Sequence, residues 1–131
     1  MYEAITRAIC VRVTPAYLED RSTPADCHYV WSYTIDIVNN GPEIVQLLSR
    51  HWHITDALGR SEHVRGPGVI GQTPVINPGE TFTYSSGCPL KTASGIMSGS
   101  FQMLSHTKAE TFNIAIPPFS LDSPYALRSV N

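Results

Sequence analysis

Gly66-Pro67-Gly68-Val69-Ile70-Gly71 spells G-x-G-x-x-G, the run in which glycines leave a strand and open a helix whose N-terminus holds a pyrophosphate. Here Pro67 lies inside the run, Pro74 and Pro78 follow, and the next residues alternate like a strand. No helix can begin where the phosphate would need one. Another phosphate chemistry stays open. Glycines reach φ > 0, so successive amides can converge into an anion nest. Arg65 adjoins the run and Arg60 could approach across the turn, each with a planar donor fork suited to phosphate. Arg60, Arg65, Gly66, Gly68 and Gly71 are thus the candidate phosphate residues, with pyrophosphate or a nucleotide as ligand. The structural alternative is a tight crossing between sheets where glycines permit close backbone approach. That alternative is preferred, because the motif stands outside its strand–helix context.

His51 and His53 are the candidate metal ligands. Two apart on a strand, they point to one side, about 7 Å apart at Cα. Zn²⁺ or Co²⁺ would need a third donor, and nothing in the sequence brings His28, His63 or His106 near. A solvated pair on a polar strand face is the plainer reading. Asp36, Asp56 and Glu62 lack the paired spacing that Mg²⁺ requires. There is no G-x-S-x-G elbow, and nothing orders a nucleophile, a base and an orienting acid. A non-enzyme without cofactor is the expectation. Arg50 is a further candidate, because it shares a strand face with Leu48, Trp52 and Ile54. It either snorkels past the sheet edge, pairs with an acid, or lines a functional pocket.

These residues must be positioned by extended chain. The 131 residues suit one domain, 1–131, and ten prolines with nine glycines favour short strands and turns. Alternation marks strands at residues 5–14, ended by Pro15, at 29–39 and at 44–55. Shorter strands follow around 62–65, 75–76, 81–86, 96–106 and 112–116, the last stopped by Pro117-Pro118. Residues 87–95 read as irregular, and the tail from about 121 as loosely held. Seven to eight strands without helical periodicity predict an all-β sandwich, with a barrel as runner-up. Its core would take Trp31, Tyr33, Trp52, Phe82, Tyr84 and Phe101. Net charge of −2 gives no field to attract nucleic acid, and no apolar run spans a bilayer. The first residues do not resemble a secretory signal, and Cys10, Cys27 and Cys88 form neither a disulfide framework nor a C-x-x-C site. A cytoplasmic setting with reduced thiols is expected.

Longer runs carry a resemblance. Gln46-Leu47-Leu48-Ser49-Arg50-His51-Trp52, Val64 to Gly71, Pro78-Gly79-Glu80 and Tyr84-Ser85-Ser86-Gly87 are similar to signature runs of the bacterial ApaG (CorD) family. Gly95 to Phe101 and Ile116 to Leu121 extend it over nearly the whole chain, and Gln72-Thr73-Pro74 departs from the family's Glu-Gln-Pro. The resemblance implies an immunoglobulin/fibronectin type III-like sandwich. It further implies an association with cobalt resistance, magnesium flux and diadenosine polyphosphate breakdown, and related domains that suggest partner binding. No catalytic residue comes with it. A suggested phosphate role maps onto Gly66, Gly68 and Gly71. The expected function is therefore a non-catalytic binding module for an unknown protein partner, with edge strands that also allow a homodimer. Pyrophosphate or nucleotide binding is the alternative, and Co/Zn binding through His51 and His53 the third.

Overall fold

The computed structural model describes residues 1–126. The described residues form nine strands, most of them built on alternating apolar residues: β1 (Tyr2–Thr6), β2 (Ile9–Tyr17), β3 (Tyr29–Asn39), β4 (Val45–Asp56), β5 (Ser61–Pro67), β6 (Val75–Ile76), β7 (Thr81–Leu90), β8 (Ser94–Ser105) and β9 (Glu110–Asp122). All pairings are antiparallel. One sheet has the order β1-β2-β3-β7 and the other β5-β4-β8-β9, with β6 added beside β4. The sheets pack face to face as an immunoglobulin/fibronectin type III-like sandwich, as expected. Their facing sides are the period-2 sets that must leave water. Ile9, Val11, Val13, Trp31, Ile35 and Ile37 come from one sheet, and Trp52, Met97, Phe101, Met103 and Ile114 from the other.

The strands depart from simple alternation and turn signals at four places. Residues 2–17 make two strands, because Arg7 and Ala8 turn the chain with φ of 50° and 62°. Pro15 does not end β2. The β1 ladder stops at Val13, so the missing amide at Pro15 costs no pairing there. Residues 87–90 belong to β7 rather than an irregular segment. Pro117 and Pro118 sit at a register shift in the β8–β9 ladder, and the strand resumes with Phe119 and Leu121 buried. The segment expected to hang loose is therefore held as far as it is described. Leu121 is fully buried, Ser123 Oγ donates to Ala93 O at 2.6 Å, and Tyr125 Oη donates to Glu19 Oε1 at 2.6 Å. The rest of that tail, 127–131, lies outside the described residues.

A second register shift, between Leu47 and Ser49 in β4, decides which residues face the core. The extra residue switches the inward parity. Before it Val45 and Leu47 point inward, and after it Trp52 and Ile54 do. Leu47 thus leaves the outer face assigned to it by simple alternation, and Leu48 leaves the inner one. Arg50 keeps its place on the side of Trp52. At one end, Asn39 is buried and donates to Glu43 O at 2.8 Å and Ile76 O at 3.0 Å, while Gly41 N donates to its Oδ1. That amide joins the β3–β4 connection to β6.

The sandwich is closed on one side and open on the other. β9 packs against β1 and β2 on the closed side, where Ala115 N also donates to Thr6 Oγ1. On the open side the edges are β7 and β5, each paired with one neighbour. Trp52 lies beneath this side at 3% exposure, edge-on to Tyr33 and Phe119 with centroids 5.3 and 5.9 Å away. Trp52→Ala should cost about 3–5 kcal/mol, measured by urea denaturation; an unchanged midpoint would contradict the packing described.

Candidate functional site

Two hollows follow one another along the open side. The first, about 490 Å³, lies between Ile54 and Glu62 on one sheet and Pro89 and Leu90 on the other. The second, about 420 Å³, is bounded by Tyr33, Tyr84 and Ser86 from one sheet and Arg50 and Trp52 from the other. Val69, Ile70 and Gly71 form its end wall. Arg50 is the charged member of that lining, and no carboxylate lines it among the described residues.

The glycine run serves Arg50. Arg50 Nη1 donates to Pro67 O at 3.1 Å and Gly68 O at 2.8 Å. Gly66 pairs with Arg50 across the ladder, and a Cβ there would stand 3.0 Å from Nη2. Gly68 has φ +59°, and a Cβ there would collide with Gln72 O. Residues 69–72 form a two-residue hairpin turn: Val69 N donates to Gln72 O and Gln72 N to Val69 O, each at 2.9 Å. Ile70 at φ 44° and Gly71 at φ 77° give it the primed geometry that suits strand twist. Three glycines thus meet three local requirements. The run presents carbonyls to a cation, and the amides of Gly68, Val69 and Gln72 are already bonded within the protein.

The other candidate residues separate. Arg60 is not beside the glycine run. It lies at the opposite end of β5, with Nε donating to Asp56 Oδ2 at 2.9 Å. Burial works against the Asp56 charge, but the amides of Arg60 and Leu58 and the Arg60 guanidinium outweigh it, and the carboxyl sits below its ordinary range. Arg65 pairs with His51 on the outer face of the β4–β5 ladder and shares a shallow hollow there with Ser100 and Gln102.

His51 and His53 do share a face, and the ladder adds His63, which sequence alone could not place. His51 Nε2 and His63 Nδ1 are 2.8 Å apart and share one proton. His53 and His63 stack with centroids 4.5 Å apart and 1° between planes. Ligand lone pairs lie in the imidazole plane, so parallel rings do not aim at one ion. Among the described residues no group of three or more His, Cys, Asp or Glu is arranged to hold a metal ion. The thiols are unreactive where buried: Cys10 is raised by burial, and Cys88 is pushed up to about 11 by burial.

Two residues not singled out for binding complete the second hollow. Tyr84 is 5% exposed, and its hydroxyl has no hydrogen-bond partner. Burial raises its pKa strongly, opposed by the nearby Arg50 charge. Tyr33 is raised by burial as well, with Ser86 and Arg50 pulling the other way. Both phenols therefore remain protonated donors at neutral pH. Alternation read these rings as core, which they are; that both also line a hollow requires knowing the strand order.

Two antiparallel sheets enclosing one aromatic core, with a donor-rich hollow along one side, define an all-β sandwich domain. The sequence pattern of the ApaG domain matches residues 19–105. The chain belongs to the ApaG family. It is 59% identical over 131 residues to Protein ApaG of Mesorhizobium japonicum and 54% identical to that of Sinorhizobium fredii, covering all of each. A crystal structure from Bordetella pertussis described as an ApaA protein matches with a TM-score of 0.86 and 43% identity, over 90% of this chain and 95% of that one. No helix among the described residues is long and apolar enough to cross a membrane.

The histidine cluster yields a pH prediction. Burial and then Arg65, His63 and His53 lower the His51 pKa. The unfolded chain, titrating near about 6.5, then binds the proton more readily than the folded one. The His51 contribution to stability is complete above that value and declines as pH falls below it. Thermal midpoints from pH 8 to 5 should fall on the acid side, and His51→Gln should flatten the fall; equal slopes would contradict the assignment.

Proposed function

We propose that this ApaG-family protein is a non-catalytic binding module that docks an extended segment of another protein along β7. The observation that supports this reading is the free edge of β7. Pro89 lies in the strand without breaking the β3 ladder, so its nitrogen faces the free side. Period-2 alternation turns the amides of Thr83, Ser85 and Gly87 the same way. Those donors, beside two successive hollows, suit strand addition, in which main-chain bonds give affinity and pockets give specificity. In this reading the protein works in the cytoplasm, and the cobalt, magnesium and diadenosine polyphosphate associations act through the partner. A second copy of the chain is the competing occupant of the same edge.

Gly87→Pro removes one outward amide, and its Cβ position is clear to 3.5 Å. The variant should keep the wild-type thermal midpoint within a few degrees and lose the proteins that wild type retains from a cell lysate. Equal retention would overturn the docking mode. Size-exclusion chromatography of both proteins separates self-pairing from a foreign partner. A thermal-shift series with pyrophosphate, diadenosine tetraphosphate and Co²⁺ should give no rise. A ligand at 100 times its Kd would stabilise by about 2.7 kcal/mol, and such a rise would favour a small-ligand function instead.

A further inference from the structure

We propose that the hollow at Arg50 receives the free C-terminal carboxylate of the segment that docks along β7; this rests on the docking mode above and names its anchor. The lining supplies donors and a single positive charge. Arg50 Nη1 is committed to Pro67 O and Gly68 O, which fixes the plane of the guanidinium. Its Nε and Nη2 have no protein acceptor among the described residues, and these are the edges a carboxylate engages. The Tyr84 hydroxyl is the second, independent sign of a ligand. It is buried and unpartnered, the residue that carries it lines the same hollow as Arg50, and burial keeps its proton on. A buried hydroxyl without an acceptor is costly, and an arriving carboxylate oxygen would relieve it. Tyr33 and Ser86 add further hydroxyls on the same wall.

Charge selects among anions. One guanidinium facing no acid balances a carboxylate, whereas a pyrophosphate brings at least one more charge into a site flanked by indole and phenol rings. Position selects among carboxylates. The hollow is closed at one end by the turn at residues 69–72, and Val69 in that turn is 1% exposed. A segment running along β7 from Leu90 toward Tyr84 meets this wall at Arg50, which suits a chain end better than a side chain from a strand that continues. Capture of a terminal carboxylate is an established recognition mode.

A phage library displaying random heptapeptides with free C-termini, selected on the full chain, supplies the probe. The selected peptide is then synthesised as free acid and as C-terminal amide, and both are titrated by calorimetry. Wild type should bind the acid about tenfold or more tightly than the amide, the loss expected for one charge-assisted contact. Arg50→Gln should bring that ratio close to one. Because Arg50 also holds the loop, Tyr84→Phe serves as the second variant: it keeps the ring, removes one donor, and should weaken the acid severalfold at an unchanged thermal midpoint. Acid and amide binding equally to wild type, or a ratio unaltered in both variants, overturns the carboxylate site. If that equal binding is still abolished by Gly87→Pro, edge docking survives and only the anchor fails. A selection that enriches no peptide overturns both.

Discussion

A guanidinium beside aromatic rings at the mouth of a β-sandwich is fixed in one orientation by acceptors on one of its edges, and that arrangement shapes the open side of this molecule. Arg50 faces the side of Trp52, where an aliphatic residue would be ordinary. The acceptors come from the carbonyls of Pro67 and Gly68. For them to arrive, β5 must pass close over the side chain, so Gly66 has no Cβ. The chain must then reverse at once, so Gly68 and Gly71 take positive φ. The G-x-G-x-x-G spelling is thus the trace of a cation held by loop carbonyls, the opposite polarity from the phosphate motif it matches.

The same side owes its openness to strand order. Each sheet of the pair ends there in a strand with one neighbour, and β5 is exposed along almost its whole length. On the far side, β1 and β9 pack together and cover the hydrophobic layer between them. The molecule is therefore asymmetric. Its polar donors and aromatic walls converge where backbone groups are also available, and its Arg7–Glu110 ion pair of 2.7 Å, with Arg7 4.0 Å over the Phe112 ring, belongs to one end of the closed side.

Much of this was legible in the sequence and some was not, for specific reasons. Ile9, Val11 and Val13, the odd residues from Trp31 to Ile37, and Met97 to Met103 alternate in the sequence, and burial follows that alternation except at Cys10, which is buried between Ile9 and Val11. The Arg7–Ala8 turn escaped because neither residue advertises positive φ; tertiary pairing of β1 with β2 imposes it. The extra residue at Leu48 escaped because a bulge leaves no compositional mark, and it inverted the faces of β4 before that point. Proline misled twice as a stop signal, at Pro15 and at Pro117-Pro118, since each sits where no ladder bond is needed. Arg50 was conspicuous on the apolar face from the outset. Its companions Tyr84 and Ser86 and the third histidine, His63, became visible only through cross-strand register.

Pro117 and Pro118 have one more consequence. Neither offers an amide, and they sit where the β8–β9 register shifts, a feature that blunts a strand as a template for pairing. Fibre growth needs two complementary flanks on every subunit, one to accept and one to offer. Where the two prolines stand, β9 cannot offer the regular row of donors that each new layer of a fibre must repeat, so that stretch of its outer border stops such stacking instead of passing it on.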